Sequence, residues 1–205
     1  MADKTYLDKV YDLSTPDETR ALYDQWSDSY DDEVLENGYV TPIRVARALA
    51  AQVKNLDRAV LDFGCGTGLS GAALIQTGFT TVDGADLSAE MLTEAREKGV
   101  YRDLWQVHPG GELPFDPGRY HAITASGVIG SGAAPPETFD LLMENLAPQG
   151  LLAFSFNDHT LSDPEYEGRM RSWIEEGKAH VLFQEHGDHL PKIGLKATVY
   201  VLEKA

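Results

Sequence analysis

Hydrophobic and polar residues alternate along this 205-residue chain in two recurring patterns, one typical of strands and one of helices. Short apolar runs bounded by acidic residues, glycine or proline predict strands, and capped segments with apolar positions three and four apart predict helices. The predicted strands cover residues 59–63, 81–86, 104–108, 120–126, 151–156, 180–184 and 195–202. The predicted helices start at Thr15 and Thr41 and cover residues 69–76, 88–98, 136–146 and 164–176.

This succession of strands and helices predicts an α/β fold with a doubly wound, mostly parallel seven-stranded sheet. The last two predicted strands are separated only by residues 186–194, without a helix. We therefore expect them to pair antiparallel as a hairpin at one edge of the sheet. The length suits one domain over residues 1–205.

Composition narrows the classes of partner. The chain has 17 Lys and Arg against 33 Asp and Glu, a net charge of −16, which disfavours a nucleic-acid substrate. Its one cysteine, Cys65, allows neither an internal disulfide nor a cysteine metal cage, and suits the cytoplasm. The start of the chain does not read as a signal peptide, and no apolar run is long enough for a membrane span, so we expect no membrane partner.

The candidate chemistry starts at a glycine-rich turn after the first predicted strand. Gly64, Gly66 and Gly68 alternate there, just before a predicted helix. Glycine lets the backbone adopt positive φ and approach a ligand closely, and the helix start presents unpaired N–H groups. The turn therefore predicts a nucleotide-like ligand, although a turn needed only for tight strand–helix packing is the plainer alternative.

The charges beside the turn indicate which ligand. No Lys or Arg lies between Arg58 and Arg96, whereas Asp62, Asp83 and Asp86 do. A bare pyrophosphate would lack a basic partner there, whereas the sulfonium and ammonium of S-adenosylmethionine would be favoured by Asp62. Asp86 ends the second predicted strand, where a carboxylate accepts hydrogen bonds from ribose hydroxyls.

A dinucleotide site is the main alternative at this turn. Gly66, Gly68 and Gly71 satisfy the G-x-G-x-x-G spacing, and Asp86 lies 20 residues after Gly66. The tight turn, however, begins one glycine earlier, and Asp62 would repel a pyrophosphate. An NAD-binding oxidoreductase is therefore the weaker hypothesis.

Three segments together resemble the class I S-adenosylmethionine-dependent methyltransferases: residues 61–68 (LDFGCGTG), residues 84–88 with Met91, and residues 113–115. Tyr23-Asp24, Trp26, Tyr30-Asp31 and residues 91–104 resemble, more closely, the methyltransferase-like family of the Williams–Beuren region. The resemblance implies a cofactor over residues 64–68 with its ribose on Asp86. It also implies that residues 1–55 form an N-terminal helical lid and substrate segment, with Trp26 and Tyr30 over the cofactor; the alternative is that these rings only dock the first helix onto the sheet.

One departure concerns the adenine. Many relatives carry an acid just before the Leu-Pro-Phe segment, where this chain has residues 108–111 (HPGG). We expect backbone groups or His108 to contact the adenine, with Leu87 and Met91 packing against it. The residues predicted to bind the cofactor are Trp26, Tyr30, Asp62, Gly64, Cys65, Gly66, Asp86, Leu87, Met91, His108 and Ser126.

The methyl acceptor is expected at the carboxyl ends of the fourth and fifth strands, near residues 126–128 and 157–159. His159 is a weak candidate for a general base, and Arg44 has a possible role on the methionine carboxylate or an idle place on a surface helix. His186, Asp188 and His189 resemble metal ligands, but a polar hairpin loop explains them, and we expect no metal.

These observations predict an S-adenosylmethionine-dependent methyltransferase that acts on the oxygen, nitrogen or carbon of a small molecule. A regulatory protein that binds the cofactor without turnover is the alternative.

Overall fold

The computed structural model describes residues 6–10, 13 and 15–205, and these residues form a seven-stranded sheet with helices packed around it. The strands are β1 (Val60–Phe63), β2 (Val82–Asp86), β3 (Leu104–Gln106), β4 (Tyr120–Ala125), β5 (Leu146–Asn157), β6 (Ala179–Leu190) and β7 (Leu195–Lys204). The helices are α1 (Tyr6–Lys9), α2 (Pro16–Glu36), α3 (Thr41–Gln52), α4 (Leu69–Gln76), α5 (Ala89–Lys98), α6 (Glu137–Asn145), α7 (Asp158–Leu161) and α8 (Pro164–Glu175).

The strand order across the sheet is β3-β2-β1-β4-β5-β7-β6. The first five strands in this order are parallel, and β7 runs antiparallel between β5 and β6. The predicted fold class, including the reversed last hairpin, is therefore confirmed. Because parallel strands share a direction, the carboxyl ends of β1, β2, β4 and β5 meet at one edge of the sheet.

Two apolar cores cover the two faces of the sheet. Leu152 and Phe154 belong to one core, whereas Leu151 and Ala153, their neighbours on β5, belong to the other. Side chains alternate between the faces of a strand, so a strand buried on both faces carries an uninterrupted apolar run. This explains why the pattern at 151–154 lacks the polar alternation of a surface strand.

The predicted helix starts agree with their caps. Thr15 Oγ1 accepts a hydrogen bond from Glu18 N at 3.3 Å, and Thr15 N donates to Glu18 Oε2 at 3.0 Å, which closes a capping box before α2. Ser88 Oγ accepts from Met91 N at 3.1 Å at the start of α5. Gly99, with φ of +64°, ends α5 as expected. Within the described ranges, none of the helices combines the length and apolarity of a bilayer span.

The last hairpin differs from its prediction in extent. β6 continues to Leu190, so residues 186–189 belong to a strand, and only Pro191–Ile193 and Gly194 form the connection to β7. Pairs such as Gly187 with Ala197 keep the backbone hydrogen-bonded, while most β6 side chains remain exposed. Polar side chains occur both in loops and on exposed edge strands. Because composition does not distinguish the two, these residues suggested a loop.

Two further boundaries differ from the sequence prediction. β5 begins at Leu146, which pairs with Tyr120 before a register shift to the pair Leu151 and Ala122. The turn residues that suggested a loop, 148–150, lie in this irregularity, where Gln149 adopts φ of +58°. The short helices α1 and α7 were not predicted, because four residues carry too little periodicity.

Candidate functional site

The glycine turn between β1 and α4 adopts the backbone that its glycines allow. Gly64, Gly66 and Gly68 have φ angles of +68°, +52° and +98°. A Cβ on Gly64 would lie 2.3 Å from the Val128 side chain, whereas a Cβ on Gly66 would meet nothing within 4 Å. Gly64 is therefore required by packing as well as by backbone angle, while Gly66 borders open space.

The turn is tied to β2 through the backbone. Gly64 N and Cys65 N both donate to the carbonyl oxygen of Ala85, at 2.7 and 3.0 Å. Cys65 itself is buried, and burial raises the pKa of its thiol well above the ordinary value. The thiol is therefore protonated, and Cys65 acts as a small apolar residue in the turn.

Asp86 meets the turn from the end of β2. Its Oδ2 accepts from Gly66 N at 2.8 Å and its Oδ1 from Ser88 N at 2.9 Å. Burial raises the pKa of the Asp86 carboxyl, and these two N–H donors oppose the rise. The structure thus brings together the glycine turn and the acid that the sequence placed beside it.

Asp62 lies beneath the turn and is completely buried. Its Oδ1 accepts from Thr124 Oγ1 at 2.9 Å, and its Oδ2 accepts from Ser70 Oγ at 2.6 Å and from the Tyr101 hydroxyl at 2.7 Å. Burial raises the pKa of the Asp62 carboxyl to about 6. Both oxygens are engaged by protein groups, so in this structure Asp62 braces the turn.

Tyr101 joins this network and was missed by the sequence prediction. Its hydroxyl donates to Asp62 and accepts from Gly71 N at 3.1 Å. A Cβ on Gly71 would lie 2.4 Å from that oxygen, so the close approach requires glycine. The third glycine of the apparent dinucleotide spacing is therefore explained by packing against Tyr101.

Helix α2 lies close to the turn and carries the aromatic residues singled out from the sequence. Trp26 is 1% exposed, and its ring centroid lies 4.7 Å from that of Tyr30. Burial raises the pKa of the Tyr30 hydroxyl, with a smaller contribution from the negative charge of Asp86. Asp31 anchors the helix, because it accepts from Thr67 Oγ1 in the turn and pairs with Lys98 Nζ of α5 at 2.6 Å.

Several buried polar atoms near the turn have no hydrogen-bond partner. Within the part of the chain that the structure describes, the unpaired buried side-chain atoms are Asp24 Oδ1, Trp26 Nε1, Ser126 Oγ and Arg169 Nε. The first three belong to α2 and to the residue that follows β4. Buried polar atoms normally have a partner, so these three fit a polar ligand held between α2 and the sheet edge.

The remaining predicted residues divide into two groups. Leu87 is half-buried and Met91 is buried, both directly after Asp86, where an apolar ligand surface would meet them. His108 is exposed after β3, one residue beyond Val107, whose N–H donates to Asp86 O at 2.9 Å. His159 is exposed on α7. Neither histidine is brought into the buried group around the turn.

A small pocket that opens to solvent lies at the carboxyl ends of β4 and β5. Trp26 and Tyr30 line it, so it adjoins the region of the turn. Its lining residues are Leu7, Val10, Tyr23, Trp26, Tyr30, Val34, Tyr39, Gly127, Ser131, Ala133, Asn157, His189 and Leu190. Four of them are Tyr or Trp, and no Lys, Arg, Asp or Glu occurs in this set from the described residues.

His189 is the pocket histidine, and it was predicted as part of a polar loop. It is 5% exposed, and its Nδ1 lies 2.7 Å from Thr41 Oγ1. Burial, with a contribution from the charge of Arg44, lowers the pKa of His189 to about 4, so the ring is neutral at pH 7. No local pattern could have identified this residue, because its partner is 148 positions away.

Arg44 is engaged by the hairpin. Its guanidinium donates to the carbonyl oxygens of Asp188 at 2.7 Å, Glu185 at 2.9 Å and Ala197 at 3.0 Å. Both terminal nitrogens of the guanidinium are therefore engaged within the hairpin, which argues against the suggested role on a methionine carboxylate. His186 lies 3.0 Å from Thr198 Oγ1, so it and His189 have different partners on different elements.

Comparisons with known proteins agree with this architecture. A family model described as "Methyltransferase domain" matches residues 35–196. Human methyltransferase-like protein 27 is 33% identical over 117 residues, which cover 56% of this chain and 48% of that protein. Demethylmenaquinone methyltransferase of Clavibacter sepedonicus is 34% identical over 144 residues, covering 68% of this chain and 58% of that enzyme.

Two further similarities are informative. An 18S rRNA (guanine-N(7))-methyltransferase of Bos taurus is 37% identical over 100 residues, covering 42% of this chain and 35% of that enzyme. The solved magnesium protoporphyrin IX methyltransferase of Synechocystis, with S-adenosylmethionine bound, superposes with a TM-score of 0.66 at 17% identity, covering 94% of this chain and all of that one. The chain spans only about a third to three fifths of the length of these curated relatives.

Proposed function

Because the chain belongs to the methyltransferase-domain family, in the class I S-adenosylmethionine-dependent group, we propose that it transfers a methyl group from this cofactor to a small-molecule acceptor. The observation that carries the proposal is the position of Tyr30. The next residue, Asp31, accepts a hydrogen bond from Thr67 of the glycine turn, and Tyr30 itself lines the uncharged pocket. A cofactor region and an acceptor region therefore adjoin at this point of α2, as group transfer requires.

The residues around the turn fit the cofactor. S-adenosylmethionine would supply a methyl group already activated on a sulfonium. We assign the binding of its ribose hydroxyls to Asp86 and the packing against its adenine to Leu87 and Met91. Gly64, Cys65 and Gly66 would let the cofactor approach the backbone of the turn closely. His108 is the assigned polar neighbour of the base. Asp62 has the supporting role of holding the turn.

The buried polar atoms without partners indicate which residues would bind the methionine moiety of the cofactor. Asp24 Oδ1 is a buried carboxylate oxygen without a partner, and Ser126 Oγ is a buried hydroxyl without one. The ammonium and carboxylate of a methionine moiety are the complementary groups, since an unsatisfied buried polar atom costs about 1–3 kcal/mol. Trp26 and Tyr30 add aromatic faces, whose attraction for a cation the sulfonium of the cofactor would take up.

We further propose that α1 and α2, within the N-terminal segment 1–55, act as the lid of the site. Trp26 and Tyr30 pack into the site from α2, and the Asp31–Lys98 pair holds this helix against α5. A lid of this kind excludes water and aligns the acceptor with the methyl group. His159 is a weaker candidate for removing a proton from the acceptor.

The small-molecule acceptor is favoured over RNA by charge. The chain carries a net charge of −16, and the pocket lining includes neither Lys nor Arg among the described residues. An RNA substrate requires cationic side chains to neutralise its phosphates. One relative acts, by its name, on 18S rRNA, so an RNA acceptor is tested beside the small molecules.

The cofactor assignment is tested by the change Asp86→Ala. The ribose would lose two hydrogen-bond acceptors, so the affinity for S-adenosylhomocysteine should fall by about 1–3 kcal/mol in isothermal titration calorimetry. Asp83→Asn is the matched control on the same strand. Asp83 is buried and bonded to Arg102 and Tyr120, so this change should lower stability but leave the affinity unchanged. An unaltered affinity in Asp86→Ala refutes the ribose role.

The reaction is tested with a donor that carries a labelled methyl group. The protein is incubated with the small-molecule fraction of a cell extract and, separately, with total RNA. We expect label in the small-molecule fraction. Label only in RNA would overturn the proposed acceptor class, and cofactor binding without incorporation in either fraction would favour a regulatory protein. Binding of NADH in place of S-adenosylhomocysteine would overturn the methyltransferase proposal.

A further inference from the structure

Five of the thirteen described residues that line the pocket at the carboxyl ends of β4 and β5 have aromatic rings. Tyr23, Trp26, Tyr30 and Tyr39 line it, together with the imidazole of His189. The Tyr39 and His189 rings meet edge to face, with centroids 5.2 Å apart and planes at 82°. Aromatic side chains pack against flat ring systems in offset or edge-to-face arrangements. The lining therefore favours a planar ligand.

The same pocket lacks the means to hold a charged ligand. A buried carboxylate or phosphate is best stabilised by a cationic side chain, and a buried ammonium by a carboxylate. The described lining residues supply no such group. Arg44 is close enough to lower the pKa of His189, but its guanidinium is bonded to the carbonyls of Glu185, Asp188 and Ala197.

Two polar side chains of the lining are oriented by bonds on one side only. Asn157 Oδ1 accepts from Thr160 N at 2.9 Å and from Thr160 Oγ1 at 3.0 Å, which leaves its Nδ2 group as the second polar end of the amide. His189 Nδ1 is paired with Thr41 Oγ1, which leaves Nε2 as its second polar atom. Each residue therefore has one nitrogen for a ligand while the other end is held by the protein.

We propose that the pocket binds a neutral, planar, largely apolar acceptor, and that His189 and Asn157 together recognise one polar substituent on its ring. This inference rests on the proposed function, because it names the class of acceptor for the same site. It excludes polycarboxylate and phosphorylated acceptors on the ground that their charges would be buried without partners. A bicyclic aromatic alcohol has the shape and polarity that the lining favours.

The test uses three naphthalene probes whose single substituent is neutral, anionic or cationic: naphthol, naphthoate and naphthylmethylamine. Each is titrated into the full chain, with and without saturating S-adenosylhomocysteine. We expect naphthol to bind at least about tenfold more tightly than the other two, the equivalent of 1.4 kcal/mol. Naphthoate or the amine binding as tightly as naphthol would overturn the inference, and so would the absence of naphthol binding.

The two proposals fail separately. Failure of S-adenosylhomocysteine to bind would count against the proposed function, whatever the ranking of the three probes. Normal binding of S-adenosylhomocysteine with the wrong ranking would overturn the acceptor class alone. The affinities of the three probes are also measured without S-adenosylhomocysteine. The preference of the pocket is therefore known even if S-adenosylhomocysteine does not bind.

Variants test the two recognising residues. His189→Phe keeps an aromatic ring but removes its nitrogens, and it should weaken naphthol binding by about tenfold. His189→Gln places an amide near the position of Nε2 and should retain affinity within about threefold. His186→Phe is the matched control, because His186 lies on the same strand but is not part of the pocket lining. Unchanged binding in His189→Phe would overturn the role of this residue.

Asn157→Asp tests the recognition independently, so that the proposal stays testable if His189→Phe does not fold. Asn157→Asp keeps the oxygen that accepts from Thr160 but replaces the amide donor with a second carboxylate oxygen. We expect naphthol affinity to fall by about fivefold while the thermal unfolding midpoint changes little. Affinity equal to the wild-type protein would remove Asn157 from the proposed recognition.

Discussion

The glycine turn and the ring-lined pocket are adjacent, but the chain builds them in opposite ways. Asp62, Gly64, Gly66 and Asp86 lie within 25 consecutive residues and are joined by backbone and side-chain hydrogen bonds. The pocket is lined by residues from several separate elements, spread between Leu7 and Leu190 in the sequence. A site made from one local segment is organised by that segment alone, whereas a site made from distant elements depends on how those elements pack.

The two regions also differ in how completely their polar groups are bonded. Both carboxylates of the turn accept hydrogen bonds from the protein through both oxygens, whereas the side chains of Asn157 and His189 are bonded through one polar atom each. We infer that the turn presents a preorganised surface to a constant ligand. The pocket presents a shape that substitutions in several elements would alter.

The largest effect is expected from Gly64→Ala. The new Cβ would overlap the Val128 side chain, and the residue would have to keep a φ of +68°. Backbone strain and overpacking together should lower the free energy of unfolding by about 2–5 kcal/mol, as measured by urea denaturation. Affinity for S-adenosylhomocysteine should be lost as well, because the turn cannot keep its path.

Gly66→Ala is the matched control for that change. Its Cβ meets nothing within 4 Å, so only the strain of a positive φ remains, about 1 kcal/mol. The added methyl would nevertheless occupy the open side of the turn and weaken S-adenosylhomocysteine binding. Equal destabilisation by both changes would contradict the packing role of Gly64, and unaltered binding in Gly66→Ala would contradict its place at the ligand surface.

The second effect concerns the pH dependence of stability. Burial raises the pKa of Asp62 from 3.8 to about 6, so the folded protein binds this proton more tightly than the unfolded chain. The contribution of Asp62 to stability is therefore greatest below about pH 4 and falls as pH rises towards 6, by on the order of 3 kcal/mol. Asp62→Asn cannot titrate, so it should remove this fall.

The measurement is the free energy of unfolding of both proteins at about pH 4.5 and pH 7.5. Other groups titrate in the same range, and the lowered pKa of His189 contributes with the opposite sign. Because those groups are common to both proteins, the difference between the two pH dependences isolates Asp62. Parallel pH dependences would show that the buried carboxyl retains an ordinary pKa.

The smallest effect, on the pocket side, is expected from Arg44→Met. Three carbonyls of the hairpin would lose a charged donor, which should cost about 2 kcal/mol of stability. Because His189 lies on this hairpin, naphthol affinity should fall while S-adenosylhomocysteine affinity stays unchanged. Arg47→Met, an exposed position on the same helix, should change neither. A matching loss of cofactor affinity would show that the two regions are coupled.

Much of the turn region was predictable because its signals are local. The capping box at Thr15, the cap at Ser88 and the stop at Gly99 each depend on a few neighbouring residues. The glycine turn and the position of Asp86 follow from strands that end at the same sheet edge. Parallel pairing of β1 with β2 was expected from the alternation of strands and helices, and the register places Phe63 beside Ala85.

The pocket region was not predictable by the same means. The polar residues 186–189 suggested a loop, but pairing with β7 makes them a strand, and His189 becomes buried through α3. The sequence left the role of Arg44 open. In the structure its guanidinium donates to three carbonyl oxygens of residues more than 140 positions away. Tyr101 lies in the segment 91–104 that carries the family resemblance, but nothing local indicated that it bonds to Asp62 and Gly71.

The sequence by itself determined the order of strands and helices, the conformation of the glycine turn and the acids beside it. These features depend on periodicity, backbone freedom and capping, which act within a few residues. Only the tertiary structure decided which polar groups are bonded within the protein and which buried polar atoms, such as Ser126 Oγ, lack a partner. That decision depends on burial and on contacts between distant elements, as in the pairing of His189 with Thr41 and the use of Arg44 by the hairpin.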